Sequence, residues 1–139
     1  MNRRTFLASA GLAGVAGLAG CAALQFGGNR DFDVGMTAET FDPAELTVSV
    51  GDEVVWMNTS SRAHTVTAYE NAIPEEAEYF ASGGFDSERA AREAWRQGGG
   101  ALDNGETFSH TFDAPGRYEY VCVPHEMAGM VGTVVVEEG

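Results

Sequence analysis

The sequence contains no lysine, and this shortage of positive charge limits the partners that the protein can bind. All eight basic residues are arginine, against 21 acidic residues, and the formal net charge is −13. Phosphate groups would repel such a chain, so the composition excludes nucleic acid as a partner. The acidic residues are spread from Asp31 to Glu138. We therefore interpret them as an adaptation to high salt, with an acidic docking face for a cationic partner as the alternative.

Motifs typical of common enzymes are also missing. The chain has no Ser/His/Asp set, no glycine-rich phosphate loop and no Rossmann fingerprint. It has only two cysteines, Cys21 and Cys122, and three histidines. A disulfide between the two cysteines is possible in an exported protein, but it would join an N-terminal leader to the core, so we expect each cysteine to have a separate role.

The N-terminal apolar run is too short to span a bilayer. It has about 15 residues, is interrupted by glycines, and falls short of the roughly 20 residues that a spanning helix needs. Two arginines, Arg3 and Arg4, precede it, and Leu18-Ala-Gly-Cys21 ends it. Residues 1–20 therefore resemble a twin-arginine signal peptide with a lipobox.

This leader predicts where the protein works. We expect Cys21 to carry a lipid after cleavage and residues 21–31 to form a flexible tether. The protein would then be anchored at the outer, extracytoplasmic face of the cytoplasmic membrane. An uncleaved N-terminal anchor is the alternative, and it gives the same topology.

Residues 32–139 have the pattern of one all-β domain. Short runs of alternating apolar and polar residues are separated by turn residues, which predicts a β-sandwich or barrel. The predicted strands are Phe32–Met36, Leu46–Val50, Glu53–Asn58, His64–Ala68, Thr107–Phe112, Arg117–Val123 and Gly132–Glu137.

One long segment, residues 70–105, interrupts this pattern and contains the only convincing helix. The predicted helix begins after a cap at Asp86 or Ser87, carries the i,i+4 pairs Glu88–Arg92 and Arg89–Glu93, and ends at Gly98. We favour a packed elaboration of the barrel wall, partly buried through its aromatic residues. Recognition of a partner is the alternative.

The loop Cys122–Met130 carries the residues that favour a metal site. It offers the thiol of Cys122, the imidazole of His125 and the thioether of Met130 between two predicted strands. With His64 from upstream, these residues form the His₂Cys set with a weak axial Met that is typical of an electron-transfer copper site. Met127 lies only two residues from His125, so we expect it to be exposed apolar surface beside the site.

These segments resemble a plastocyanin-type cupredoxin, and most closely the halocyanin group of haloarchaeal blue copper proteins. The resemblance covers about residues 32–138, and it rests on Tyr118–His125, Gly129–Val136, Phe41–Pro43, Leu46–Val48 and Val54–Asn58 followed by His64. It implies a Greek-key cupredoxin fold with one inserted short helix. It also implies one copper ion that cycles between Cu(I) and Cu(II).

The resemblance further implies how electrons leave the protein. The loop histidine, His125 here, reaches the surface through an apolar patch, for which Pro124, Met127, Ala128 and Gly129 are the candidates. Partners would be redox proteins of a membrane electron-transport chain, and we expect a monomer. The alternative function is a copper-binding chaperone or storage module of the same fold.

Two residues depart from the plastocyanin pattern. Thr65 replaces the asparagine that follows the first histidine ligand, and we expect it to lack the reach that ties the two ligand loops together. Glu126 places a carboxylate beside the expected exit for electrons, where it should oppose an acidic partner and lower the reduction potential. The third histidine, His110, shares a strand face with Phe108 and Phe112, so we expect a half-buried structural residue. One spare histidine cannot build a second, catalytic copper site, so we expect no enzyme.

Overall fold

The computed structural model describes residues 31–138, which form two four-stranded β-sheets around one core. One sheet contains β1 (Val34–Met36), β2 (Phe41–Asp42), β4 (Glu53–Asn58) and β6 (Thr107–Thr111). The other contains β3 (Glu45–Ser49), β5 (Thr67–Ala68), β7 (Gly116–Val121) and β8 (Val131–Glu137). The predicted signal peptide, the lipobox with Cys21 and nearly all of the tether lie outside the described residues.

The chain passes repeatedly from one sheet to the other, which confirms the predicted sandwich. The strand orders are β2-β1-β4-β6 and β3-β8-β7-β5. Strands β1 and β4 are parallel, as are β3 and β8, whereas the other neighbours are antiparallel. Most strands lie within two residues of their predicted bounds. The strand predicted for His64–Ala68 is shorter, because only Thr67–Ala68 pairs with β7.

The core between the sheets is centred on Trp56. Its indole is fully buried and lies 5.4 to 6.4 Å, between ring centroids, from the rings of four aromatic residues. Those residues are Phe80, Phe108, Phe112 and Tyr120. Each aromatic side chain buries a large apolar area, so this cluster contributes much of the driving force that joins the two sheets.

The segment 70–105 packs against β5, at the edge of the second sheet, and its helix contacts the loop 123–128. Its helix α1 (Glu88–Trp95) begins after Ser87, whose side chain accepts the N–H of Ala90, and Ala91 is its buried residue. Backbone hydrogen bonds join Phe80 to Ala68 and Ser82 to Val66. The prediction of a packed wall element with one short helix is therefore confirmed. Within residues 31–138, no helix is long and apolar enough to cross a membrane.

Candidate metal centre

The metal-binding loop lies at one end of the hairpin formed by β7 and β8. The last register pair of these strands is Val121 with Val131, and the N–H of Cys122 still donates to the carbonyl of Met130 at 3.0 Å. The two ends of the nine-residue loop between the strands are therefore joined by a hydrogen bond. A short 3₁₀ segment, Val123–Ala128, fills the loop and ends at Gly129, whose φ of 85° suits glycine.

Three of the four predicted ligands converge at this end of the sandwich. Both imidazoles face the thiol, with the Nδ1 atoms of His64 and His125 each 3.4 Å from the Sγ of Cys122. Their ligand atoms all lie within 4.8 Å of one another. His64 and Cys122 are fully buried, and His125 is partly exposed. Cys122 is a free thiol.

Met130 is the fourth predicted ligand, and its side chain is fully buried in the core cluster. Its N–H donates to the carbonyl of His125 at 3.3 Å, so its backbone is held to the same loop as two of the other ligands. The ligand role of its Sδ atom stays a prediction, as does the lipidation of Cys21, which lies outside the described part of the chain.

His64 is fixed on both sides by hydrogen bonds. Its backbone exchanges two hydrogen bonds with Leu102, at 2.8 and 3.1 Å, through an isolated antiparallel bridge. Its ring Nε2 lies 3.0 Å from the Oγ of Ser60. The hydroxyl of Ser60 donates to the Oδ1 of Asn58, so we assign the proton of the His64 ring to Nε2, from which it donates to Ser60. This tautomer leaves Nδ1 free to coordinate a metal.

Ser60 is itself positioned by a buried asparagine at the end of β4. The Oδ1 of Asn58 accepts both the N–H and the hydroxyl of Ser60, at 2.8 and 2.9 Å. The Nδ2 of Asn58 donates to the carbonyls of Arg62 and Leu102, at 2.6 and 2.7 Å. One buried side chain therefore holds the segment before His64 to the segment that pairs with it.

Thr65 joins the two ligand segments, and the expectation that it lacks the reach to do so is wrong. Its Oγ1 accepts the N–H of Val123 at 3.0 Å, and its own N–H donates to the Sγ of Cys122 at 3.4 Å. The hydroxyl succeeds because the segments approach closely, so an acceptor on a short side chain is sufficient. Its hydroxyl also lies 3.1 Å from that of Thr67.

The electrostatics of the site suit a bound cation. Burial raises the pKa of the Cys122 thiol, although the N–H of Thr65 partly opposes this rise. Burial also lowers the pKa of His64, and the charge of His125 lowers it further. Burial therefore disfavours the charged form of His64 and the thiolate of Cys122, and a soft cation bound at the site would stabilise the thiolate. The chemistry of one sulfur and two imidazole nitrogens fits copper.

The loop surface around His125 is apolar at one point and charged at another. Met127 is fully exposed, as predicted. The carboxylate of Glu126 is held by two neighbouring side chains. Arg92 of helix α1 donates to both of its oxygens, at 2.8 and 3.1 Å, and the hydroxyl of Tyr69 donates to one at 2.9 Å. Arg92 lowers the pKa of Glu126 and offsets its negative charge.

His110 lies away from the convergent ligands, packed between aromatic rings. Its ring stacks on Phe80 at 4.6 Å and meets Phe112 edge-on at 4.8 Å. Burial lowers its pKa, although nearby carboxylates oppose this effect. These contacts agree with the structural, half-buried role predicted from the sequence.

Several residues that shape the site could not be identified from the sequence. They are Ser60, Asn58, Leu102, Arg92 and Tyr69. Only Ser60 had a usable signal, since it lies four residues before a predicted ligand in a short polar turn. Arg92, Leu102 and Tyr69 make their contacts across 34 to 57 residues. Asn58 lies two residues before Ser60, but no local pattern links it to the ligands.

Comparison with known proteins agrees with this geometry. Residues 30–137 match the copper binding proteins of the plastocyanin/azurin family. A chloroplastic plastocyanin from Tetradesmus obliquus is 32% identical over 100 residues, which are 72% of this chain and 60% of that protein. The chain thus spans less than two thirds of this relative's length.

Solved structures show the same fold. Pseudoazurin from Methylobacterium extorquens is 25% identical to this chain. The match covers 75% of this chain and 72% of the pseudoazurin chain, with a TM-score of 0.54. A Cu-containing nitrite reductase from Thermus scotoductus shares the fold alone, with 23% identity and a TM-score of 0.56 over 76% of this chain and only 22% of the reductase. The all-β sandwich with one inserted helix and a convergent His-Cys-His cluster therefore belongs to a cupredoxin, and the chain is a member of the copper-binding plastocyanin/azurin family.

Proposed function

We propose that this protein carries single electrons between redox partners by means of one copper ion held by His64, Cys122, His125 and Met130. The observation that carries the proposal is the approach of both histidine Nδ1 atoms to within 3.4 Å of the Cys122 sulfur. Copper bound there would supply the one-electron couple between Cu(I) and Cu(II).

The surrounding residues are suited to hold such a site still. His64 is bound through both its backbone and its ring, and Cys122 receives the N–H of Thr65. Because these contacts restrain Cys122 and His64, the two side chains would keep similar positions around Cu(I) and Cu(II). Little rearrangement then accompanies the transfer of an electron, so the barrier is low.

Access to the site favours transfer at the loop end. His125 is the partly exposed histidine of the cluster, and Met127 beside it is fully exposed. The partner would approach this face, with Pro124, Ala128 and Gly129 at its margin. We propose redox proteins of a membrane electron-transport chain as these partners, and a monomeric carrier.

Two other functions fit the site less well. A copper chaperone or storage module would present ligands on an open surface for ready release, whereas His64 and Cys122 are fully buried. A nitrite reductase would require further histidines around a catalytic copper with an open position. The chain has three histidines in total, and the third packs against Phe80 and Phe112. We therefore propose a carrier and not an enzyme.

The place of work is proposed from the sequence. Arg3 and Arg4, the apolar run and the Leu18–Cys21 box support a lipid anchor on Cys21 at the outer face of the cytoplasmic membrane. The lysine-free acidic composition supports membership of the halocyanin group and a halophilic source. Mass spectrometry of membrane-extracted protein tests the anchor. A lipid-modified N-terminal Cys21 is expected, and an unmodified Met1 terminus would contradict it.

A reductive titration of the copper-loaded protein tests the function itself. We expect one electron per protein, a reversible change, and copper that stays bound in both states. The Cys122→Ser variant should lose this reversible couple. Loss of copper from the wild-type protein on reduction would favour the chaperone.

A further inference from the structure

The inserted helix α1 contacts the metal loop through one arginine. Arg92 donates to both carboxylate oxygens of Glu126, and its Nε donates to Glu88 at 2.8 Å. The guanidinium also lies 6.0 Å from the ring centroid of Tyr69, whose hydroxyl donates to Glu126. Glu126 directly follows His125 in the chain, so this contact reaches the partly exposed histidine.

The helix end of this contact is held in place by further hydrogen bonds at the start of α1. Glu88 and Glu70 exchange backbone-to-carboxylate hydrogen bonds at 2.9 and 3.1 Å, which join the start of α1 to the turn that follows β5. The side chains of Arg92 and Glu126 are only 30% and 36% exposed. A two-pronged arginine–carboxylate contact of this kind restricts direction as well as distance.

We propose that helix α1 positions the His125 loop through the Arg92–Glu126 pair, and that Arg92 cancels the charge of Glu126 beside the metal centre. Arg92 is thus a positioning residue, which acts through Glu126. It has two separable effects: its fork restrains the loop, and its charge raises the reduction potential that Glu126 alone would lower.

The restraint is tested in the full-length protein without copper, so this test does not depend on the proposed function. The measurement is amide hydrogen exchange at His125 and Gly129, whose N–H groups donate within the loop. Removal of a partly exposed ion pair in Arg92→Gln should speed their exchange about threefold to fivefold. The amide of Tyr118, in the core strand β7, should not change, which shows that the variant is folded.

Arg89→Gln is the matched control, because Arg89 lies on the same helix and, among residues 31–138, its ion pair is with exposed Glu93, at 3.5 Å. It should leave the loop amides unchanged. Equal acceleration in both variants would mean general weakening of the helix and would overturn the proposal, as would unchanged exchange in Arg92→Gln.

The charge effect rests on the proposed copper site and is tested by the reduction potential of the loaded protein at low salt. Arg92→Gln should lower the potential, Glu126→Gln should raise it, and the double variant should return close to the wild-type value. Arg92→Lys keeps the charge without the fork. It should therefore keep the potential while the loop amides exchange faster. A potential that does not move in Arg92→Gln would refute the charge effect.

Discussion

At the scale of single residues, the metal centre depends on short side chains that close gaps between segments distant in the sequence. Thr65 and Val123 are 58 residues apart, and one hydroxyl joins them. Ser60 and His64 are close in sequence, and the serine fixes which ring nitrogen of His64 faces Cys122. Both residues therefore help to orient the donor atoms of the site.

Replacement of Thr65 by valine should destabilise the protein without copper. Valine has nearly the same shape but cannot accept the N–H of Val123, which would leave that group without its partner. The expected loss is about 1–3 kcal/mol in the free energy of unfolding. Denaturant unfolding measures it. Thr65→Ser keeps the hydroxyl and should lose much less stability. Equal losses of stability in the valine and serine variants would contradict a role for the hydroxyl.

Replacement of Ser60 by alanine should weaken copper binding. The ring of His64 would lose its Ser60 partner at Nε2 and with it part of the restraint on its orientation. Loss of such a partner lowers metal affinity by about 10-fold to 100-fold. Competition with a chelator of known affinity measures this change. Ser109→Ala, at an exposed position in β6, should have no effect, and equal affinity in the two variants would contradict this role of Ser60.

Residue type and spacing were sufficient to predict that His64, Cys122 and His125 converge, but not which residues support them. Cys122 and His125 are three residues apart in one loop, and His64 was the histidine available at the end of a predicted strand. Thr65 was misjudged because its reach depends on how closely two segments approach. The ion pair of Glu126 could not be predicted, because its partner, Arg92, lies 34 residues earlier, on a separate element.

At the scale of elements, the segment 70–105 is a wall that supports the ligand segments from outside. Its residues around Ala81 continue the second sheet beyond β5, and Leu102 pairs with His64. Helix α1 lies between these two contacts in the sequence and reaches the metal loop. The segment that interrupts the predicted strand pattern therefore contacts both the His64 segment and the loop Cys122–Met130.

The start of α1 should be sensitive to its cap. Ser87→Ala removes the acceptor of the Ala90 N–H, which is 3.1 Å from the serine Oγ. The free energy of unfolding should fall by about 1 kcal/mol. Ser87→Asp supplies another good cap and should restore most of the loss. Denaturant unfolding of the three proteins measures this, and an unchanged alanine variant would show that the cap is not needed.

At the scale of the whole molecule, the two-sheet sandwich could be predicted from the sequence, but the exact bounds of its strands could not. Alternating strands and turn residues indicated the two sheets, because an all-β chain must bury one face of each strand. The strand after His64 was predicted too long, since His64 bridges to Leu102 whereas Thr67 pairs with β7. Periodicity alone cannot distinguish a residue in a sheet from one in an isolated bridge.

The net charge of −13 should make stability depend on salt. An increase from about 0.1 M to about 1 M NaCl shortens the screening length from roughly 10 to roughly 3 Å. Repulsion among the acidic residues then weakens, so the free energy of unfolding should rise. Denaturant unfolding in urea measures it. Sucrose at equal osmolality controls for general exclusion from the surface. Stability that is unchanged or lower in salt would contradict the proposed adaptation to high salt.

The central claim is that Cys122 and the two histidines bind one copper ion in an electron-transfer site. The visible absorption spectrum of the protein after addition of Cu(II), repeated with Cys122→Ser, tests it most directly. We expect an intense blue colour from the thiolate–copper bond, which bleaches on reduction and is missing in the variant. A folded wild-type protein that stays colourless, or a colour that survives in Cys122→Ser, would contradict the account.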